Sequence, residues 1–224
     1  MDLNAQLKTL RREFAENADS RIVDAFSSAD AELRTSSVLD GCIKAGDPMP
    51  DFSLSDANGD LVSLPRLLSR GPVAISFYRG DWCDFCALEL IALAEIYHEI
   101  LELGASLVAI SPQPPQERVR PEFGELPFPM LWDDKAKLAR RCGITYSIPV
   151  AMRPIYASGG FQPYGLGEAG WSLPIPATYI LDRTGIIVLS WLNTNYTCRV
   201  EPRDVVTMLS HLHQQSKREL SGPQ

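Results

Sequence analysis

The residues of this chain that could carry chemistry lie in one stretch, where two cysteines stand two residues apart as Cys83-Asp84-Phe85-Cys86. An apolar run that ends at Tyr78 predicts a buried strand before them, and apolar residues at helical spacing from Ala87 to Leu103 predict a helix after them. Both thiols are then expected in the first turn of that helix, where unpaired backbone N–H groups and the helix dipole favour a negatively charged sulfur. Because the thiolate is the reactive form of cysteine, this placement indicates redox or nucleophilic chemistry.

A Cys-x-x-Cys pair has four common roles in proteins. A structural zinc site needs two further ligands, usually as a second close pair. The remaining cysteines and histidines show no such pair: Cys42, Cys142, Cys198, His98, His211 and His213. An iron–sulfur cluster shared by two copies would need ligands from a partner chain, and two inert buried thiols fit poorly with a pair that opens a helix beside Trp82. We therefore favour a dithiol–disulfide redox couple and expect neither a metal nor another cofactor.

The composition limits the classes of function. At 224 residues with 45% hydrophobic content, the chain is long enough for one sizeable core and short for two. Its net charge of −7 argues against a nucleic acid or an anionic membrane as the main partner. Five scattered cysteines do not make an extracellular disulfide framework, and the first residues lack a secretory signal pattern. We expect a cytoplasmic redox protein.

Residues 1–40 predict an N-terminal helical arm ahead of one compact domain, residues 45–215. The apolar positions of the arm recur at helical spacing in two groups: Leu3, Leu7, Leu10 and Phe14, then Ile22, Val23, Phe26 and Leu33. Such a face must be covered by something. Either a second copy of the chain covers it, which would give a homodimer, or the chain's own domain does, and the sequence favours neither.

The domain has the element order of an α/β fold. A hairpin signal, the strand before the cysteines, the cysteine helix and another buried strand at 105–110 follow one another. The strand–helix–strand unit implies a right-handed parallel crossover. A further helix, a second hairpin and a closing helix at 202–215 complete a central mixed sheet with helices on both faces. Residues 147–176, rich in proline, glycine and aromatic residues, are expected to form a long ordered loop over the domain.

Four segments together resemble the peroxiredoxin-like branch of the AhpC/TSA (alkyl hydroperoxide reductase/thiol-specific antioxidant) family. They are AGDPMPDFSL at 45–54, SFYRGDWCDFC at 76–86, LGASLVAISPQ at 103–113 and LPIPATYILD at 173–182. The resemblance covers about residues 45–212. It implies a thioredoxin-like, three-layer fold and an antioxidant peroxidase that reduces hydroperoxides. A disulfide between Cys83 and Cys86 would then be reduced again by thioredoxin or a similar thiol donor.

The resemblance leaves open which cysteine attacks. In typical peroxiredoxins the peroxidatic cysteine closes a Pro-x-x-x-Thr-x-x-Cys motif. On this chain Arg79 takes the place of the proline, Cys83 that of the threonine and Cys86 that of the peroxidatic cysteine. In thioredoxins the first cysteine of Trp-Cys-x-x-Cys is the nucleophile, which would be Cys83, and the second resolves the mixed disulfide.

Two residues of the family's peroxide site are replaced. Cys83 stands where a threonine hydrogen-bonds the peroxide, and a thiol is a poor donor. Pro176 stands where an arginine usually precedes the late strand. In thioredoxins a proline at this place, often in the cis form, faces the cysteine pair and leaves backbone edges open to a substrate chain. The resemblance therefore implies a mixed site, with Cys83 and Cys86 as redox residues supported by Arg79, Trp82 and Pro176.

Charged neighbours should set the acidity of the pair. Asp81 and Asp84 disfavour a neighbouring thiolate, whereas Arg79 favours it. We therefore expect Cys83 to be less acidic than in relatives that carry proline at position 84. Arg79 could be a solvated loop residue, but its place on the strand-to-helix turn favours a role at the site.

Other residues near the pair are assigned structural roles. Trp82 either shields the disulfide or packs in the core. Glu89, one turn beyond Cys86, could shuttle a proton, but a solvated helix face is the simpler expectation. Cys42, Cys142 and Cys198 are expected to be small buried hydrophobes.

Three functions fit these observations. The first is a peroxiredoxin-like thiol peroxidase, which the overall resemblance favours. The second is a thioredoxin-like thiol–disulfide oxidoreductase without peroxidase activity, which the two replacements favour. The third is a non-catalytic redox-sensing or interaction module, which the Cys-x-x-Cys pair disfavours.

Overall fold

The computed structural model describes residues 2–115, 120, 126–158 and 170–220. The helices of this part are α1 (Leu3–Asn17), α2 (Ser20–Thr35), α3 (Leu64–Leu68), α4 (Asp84–Glu95), α5 (Tyr97–Glu102), α6 (Lys137–Arg141), α7 (Arg153–Ser158) and α8 (Pro202–Leu220). The strands are β1 (Ser53–Ser55), β2 (Leu61–Ser63), β3 (Val73–Phe77), β4 (Ser106–Ser111), β5 (Met130–Trp132), β6 (Thr145–Ser147), β7 (Ser172–Pro174), β8 (Ala177–Leu181) and β9 (Ile187–Leu192).

Seven of these strands form one mixed sheet in the order β2-β1-β5-β4-β3-β8-β9. The central strands β3, β4 and β5 run parallel, whereas β8 pairs antiparallel with both β3 and β9. The expected strand–helix–strand unit is thus confirmed, with α4 and α5 linking β3 to β4. The remaining strands, β6 and β7, pair with each other in a small separate sheet.

Alternate residues of β3 face two separate cores, as a buried strand requires. Val73, Ile75 and Phe77 pack in one core with residues of α3 and α6. Ala74 packs in the other with residues of α4, α5 and α8. Helices therefore cover both faces of the sheet, and the expected three-layer α/β fold is confirmed.

The N-terminal arm packs on its own domain. Leu3 and Leu7 are 1% exposed and form a cluster with Ala92 of α4. The backbone N–H of Leu3 and that of Asn4 donate to the carboxylate of Glu201 at 3.0 and 2.8 Å, which anchors the start of α1 beside the start of α8. Of the two interpretations of the apolar face, its own domain is the one observed, so a homodimer through the arm would have to use other faces.

The region 147–176 is more structured than a loop. Its described residues include a 3-10 turn (Val150–Met152), helix α7 and strand β7, while Phe161 and Tyr164 lie outside the described residues. The helix after the cysteines is also divided, since α4 ends at Glu95 and α5 begins at Tyr97. Among the described helices, none combines the length and apolar character that crossing a bilayer requires.

Candidate active site

The cysteine pair lies where the central strand β3 gives way to helix α4. Cys83 is the N-terminal cap of α4 and Cys86 lies in its first turn. Their exposed fractions are 4% and 0%, and both are free thiols. The predicted position is confirmed, and the unpaired N–H groups of the first turn favour negative charge on a sulfur there.

Arg79 holds the sulfur of Cys83. Its Nη2 donates a hydrogen bond to Cys83 Sγ at 2.9 Å, and its Nη1 donates to the hydroxyl of Tyr156 at 3.2 Å. The guanidinium also lies 4.3 Å from the ring centroid of Tyr196 and 5.3 Å from that of Trp82. Arg79 is only 3% exposed, so it is not a solvated loop residue.

A second arginine, Arg199, lies beside Cys86. Its Nη2 donates to Cys86 Sγ at 3.6 Å, its Nε pairs with the carboxylate of Glu89, and both residues are 1% exposed. Ser76 Oγ and Thr178 Oγ1 donate to the same carboxylate at 3.3 and 3.5 Å. The expectation of a solvated helix face for Glu89 is therefore wrong, because this carboxylate is buried against a buried cation.

The surroundings separate the acidities of the two thiols. Burial raises the pKa of Cys83, but a hydrogen bond from Cys86 and the charges of Arg79 and Arg199 outweigh it and hold this pKa well below its usual range. Burial also raises the pKa of Cys86, and its hydrogen bond to Cys83 and the negative charge there raise it further. Cys83 is therefore the more acidic thiol of the pair.

The two aspartates near the pair are engaged by neighbouring side chains. Asp81 accepts from Gln113 Nε2 at 2.7 Å and from the backbone N–H of Arg120 at 3.0 Å. Arg120 Nε donates to the backbone carbonyl of Asp81 at 2.6 Å, and its guanidinium pairs with Asp84. The sequence gives no sign that Arg120 belongs to the site. Its positive charge offsets the negative charge of Asp84, which is expected to disfavour the Cys83 thiolate.

Pro176 lies at the same end of the sheet as the cysteines. It is buried directly before β8, whose first residue, Ala177, pairs with Phe77 at the end of β3. No cis peptide bond occurs in the described residues, so the bond before Pro176 is trans. That Pro176 faces the cysteine pair stays a prediction.

Trp82 shows features of both roles considered from the sequence, namely packing in the core and covering the cysteine pair. It is half-buried, its ring packs edge-on against Tyr156 at 5.9 Å, and it lines the groove that opens at Cys83. Trp82 therefore contacts the core on one side and lines the groove beside Cys83 on the other.

The arm contributes to the site. A groove of about 280 Å³ opens at Cys83 and Arg79, and the arm supplies Phe14, Ile22 and Phe26 to its wall. Phe26 packs on Tyr156 at 5.6 Å between ring centroids. An apolar stripe shows that a helix is covered but not by what, which is why the sequence did not place the arm here.

The other cysteines have no comparable surroundings. Burial raises the pKa of Cys142 to about 12, and burial also raises that of the half-buried Cys42. Cys142 is buried as expected, whereas Cys42 and Cys198 are only partly so. Across the described residues, no group of three or more histidines, cysteines and acidic residues is placed to hold a metal ion.

The sequence model of the AhpC/TSA family matches residues 45–190, which is more than half of the chain. The chain belongs to the AhpC/TSA family. The AhpC/TSA match includes Arg79, both cysteines and Pro176. It excludes Arg199 and the arm.

Individual AhpC/TSA relatives agree with this assignment. Peroxiredoxin Q of the chloroplast of Sedum lineare is 27% identical over 170 residues, which are 75% of this chain and 79% of the relative. The crystal structure of peroxidoxin BcpB from Mycobacterium tuberculosis has a TM-score of 0.58 at 23% identity, over 75% of this chain and 97% of that one. A peroxiredoxin Q structure from Xanthomonas campestris has a TM-score of 0.55 at 18% identity, over 72% and 91%. These structural neighbours confirm the thioredoxin-like fold.

Proposed function

We propose that this protein is a thiol-dependent peroxidase in which Cys83 is the nucleophile and Cys86 the resolving cysteine. The observation that carries the assignment is the 2.9 Å hydrogen bond from Arg79 to Cys83 Sγ, because it fixes a cation against the more acidic thiol. Family membership supplies the reaction type. The greater acidity of Cys83 supports the roles proposed for the two cysteines.

In the first step, the Cys83 thiolate attacks the terminal oxygen of a hydroperoxide. A sulfur–oxygen bond forms, the oxygen–oxygen bond breaks, and the alkoxide takes a proton from solvent and leaves as an alcohol. Cys83 becomes a sulfenic acid and the hydroperoxide is reduced. The guanidinium of Arg79 is placed to stabilise the charge that passes from sulfur to the leaving oxygen.

In the second step, the thiol of Cys86 attacks the sulfenic sulfur of Cys83. A disulfide forms and the sulfenic oxygen leaves as water, taking the proton of Cys86. Cys86 follows Cys83 by three residues at the start of α4, which brings the two side chains to neighbouring positions for this attack.

A thioredoxin-type dithiol closes the cycle. One donor thiolate attacks Cys83, and Cys86 leaves. The second donor thiol then displaces Cys83, so that the donor is oxidised to a disulfide and both protein thiols are restored. Attack falls on Cys83 because it lines the groove, whereas Cys86 has no exposed surface. Such a cycle suits a reducing compartment, and we place the protein in the cytoplasm.

The groove at Cys83 supports a hydroperoxide with an apolar substituent. Its wall includes Phe14, Ile22, Phe26 and Phe85, which offer contact to hydrocarbon and few hydrogen bonds. Hydrogen peroxide would react at the same sulfur without using this wall.

The assignment is tested by stopped-flow oxidation of the reduced protein, followed by mass mapping of its cysteines. We expect fast oxidation and a Cys83–Cys86 disulfide in the wild type, a trapped sulfenic acid on Cys83 in Cys86→Ser, and no fast phase in Cys83→Ser. A trapped sulfenic acid on Cys86 in Cys83→Ser, formed at the wild-type rate, would reverse the two roles.

A second function is favoured by one feature of the site. Cys83 replaces the threonine of the peroxide site and leaves a thioredoxin-like Trp-Cys-x-x-Cys, which fits a thiol–disulfide oxidoreductase. Slow oxidation by both hydrogen peroxide and an organic hydroperoxide, combined with rapid reduction of insulin disulfides, would establish this second function instead.

A further inference from the structure

The reductive half of the proposed cycle poses a problem that its oxidative half does not. When a donor attacks Cys83, the sulfur of Cys86 must leave as a thiolate. Cys86 is 0% exposed, so water cannot stabilise the leaving charge, and a buried anion without a partner is costly. The rate of disulfide exchange rises as the leaving thiol becomes more acidic. A cation at Cys86 would therefore act directly on this step.

Arg199 is that cation. Its Nη2 lies 3.6 Å from Cys86 Sγ, and its Nη1 donates to the backbone carbonyls of Cys198, at 2.8 Å, and Tyr196. These backbone contacts and the ion pair with Glu89 fix the guanidinium before any charge appears on the sulfur. A preorganised donor of this kind lowers the free energy of a developing anion without a further cost of reorientation.

Resting on the proposed roles of the two cysteines, we propose that Arg199 is a catalytic residue of disulfide reduction, which stabilises the Cys86 thiolate as it leaves. Arg79 and Arg199 then act on different sulfurs. Arg79 stabilises the negative charge of the sulfur that attacks the hydroperoxide, and Arg199 stabilises that of the sulfur that the reductant displaces. This division explains why the protein buries two arginines against two adjacent thiols.

Glu89 tunes the same step in the opposite direction. Its carboxylate compensates the charge of Arg199, so the Cys86 thiolate receives less stabilisation than a lone arginine would give. Removing the negative charge of Glu89 should make Cys86 a better leaving group, whereas removing the positive charge of Arg199 should make it a worse one. A purely structural ion pair would behave differently, because breaking it from either side would disturb the same packing.

The test separates the two half-reactions. Protein oxidised to the disulfide with diamide is mixed with dithiothreitol, and reduced protein is separately mixed with hydroperoxide. The second measurement is made at a pH where the Cys83 thiolate is fully formed. We expect Arg199→Gln to slow reduction by about tenfold to a hundredfold, the effect of losing a hydrogen bond to a charged group. Oxidation should change by less than about threefold, since Arg79 still holds Cys83.

Three further variants make the result decisive. Glu89→Gln should speed reduction, Arg199→Lys should restore most of the lost rate because it keeps the charge, and Arg203→Gln should change neither rate. Arg203 is the matched control, since it lies on α8 and forms an exposed ion pair with Glu99 of α5. The proposal is overturned if Arg199→Gln slows oxidation as much as reduction, or if Arg199→Gln and Glu89→Gln both slow reduction. Because diamide forms the disulfide, the test remains valid even if the protein does not reduce hydroperoxides.

Discussion

The guanidinium of Arg79 donates a hydrogen bond to Cys83 Sγ over 2.9 Å, and both residues are almost fully buried. The two residues are four apart on the turn that joins β3 to α4, so the local chain path brings cation and thiol together. Burial alone would raise the pKa of Cys83 and make it inert. The hydrogen bond from Cys86 and the charges of Arg79 and Arg199 together outweigh that effect, and the first prediction concerns the share that Arg79 contributes.

Replacing Arg79 with glutamine should raise the pKa of Cys83 and shift the pH profile of hydroperoxide oxidation to higher pH. Near neutral pH the rate should fall by about tenfold or more, because a charge-assisted hydrogen bond is lost. Thiolate absorbance against pH measures the pKa, and stopped-flow oxidation measures the rate. Arg153→Gln is the control, because it removes an arginine that also packs on an aromatic ring, that of Trp171, and not on a cysteine. An unchanged pH profile in Arg79→Gln would remove Arg79 from the mechanism.

The depressed pKa of Cys83 should also make the stability of the reduced protein depend on pH. At a pH below the ordinary pKa of a thiol, the unfolded chain keeps the Cys83 proton that the folded protein has lost, so the free energy of unfolding should rise with pH. This stabilisation is complete above the pKa that Cys83 has in the unfolded chain. It is lost as the pH falls through the lower pKa that Cys83 has in the folded protein. Urea unfolding of wild type and Cys83→Ser from about pH 6 to about pH 8 measures it. The free energy of unfolding should rise more steeply with pH in the wild type than in Cys83→Ser. Parallel curves would show that the pKa of Cys83 is not depressed.

The part of the site that could be predicted from the sequence is the part built by local signals. The apolar run of β3 and the helical spacing of α4 place Cys83 and Cys86 at a strand-to-helix turn, and Arg79 lies on the same turn. Arg199 could not be found in this way, since it is separated from Cys86 by 113 residues. Its position depends on how the segment after β9 packs across the sheet, and a single arginine carries no periodic signal.

The sequence around Glu89 does contain a signal of burial. The helix sequence DFCALELIALAE is apolar at most positions around Glu89, and such a helix is buried on more than one face. The sheet covers one face of α4 and α1 covers another, so a charge in its middle needs a buried partner. Arg199 is that partner. A lone carboxylate within an apolar helix is therefore better interpreted as half of an unseen ion pair.

Arg120 should influence the acidity of Cys83 through Asp84. Arg120→Gln leaves the Asp84 carboxylate without its paired charge, so the pKa of Cys83 should rise slightly. The effect is small because the Asp84 side chain is 62% exposed and screened by solvent. In Asp84→Pro the pKa should fall, as expected from the sequence, and proline is suited to this first helical position. Arg120→Gln should raise the pKa of Cys83 less in the Asp84→Pro background than in the wild type; an equal rise in both backgrounds would mean that Arg120 acts independently of Asp84.

The arm-lined groove predicts selectivity among hydroperoxides. Ile22 lines the groove at Cys83, whereas its neighbour Val23 on the same helix lies outside it. Ile22→Ala removes apolar contact from the wall without touching Arg79 or the cysteines. It should lower kcat/KM for cumene hydroperoxide by about fivefold to twentyfold, the effect of losing roughly 1–2 kcal/mol of apolar burial. The value for hydrogen peroxide should stay within about twofold, because so small a substrate makes no contact with this wall. Val23→Ala should alter neither value, and an equal loss for both peroxides in Ile22→Ala would show that the arm only supports the fold.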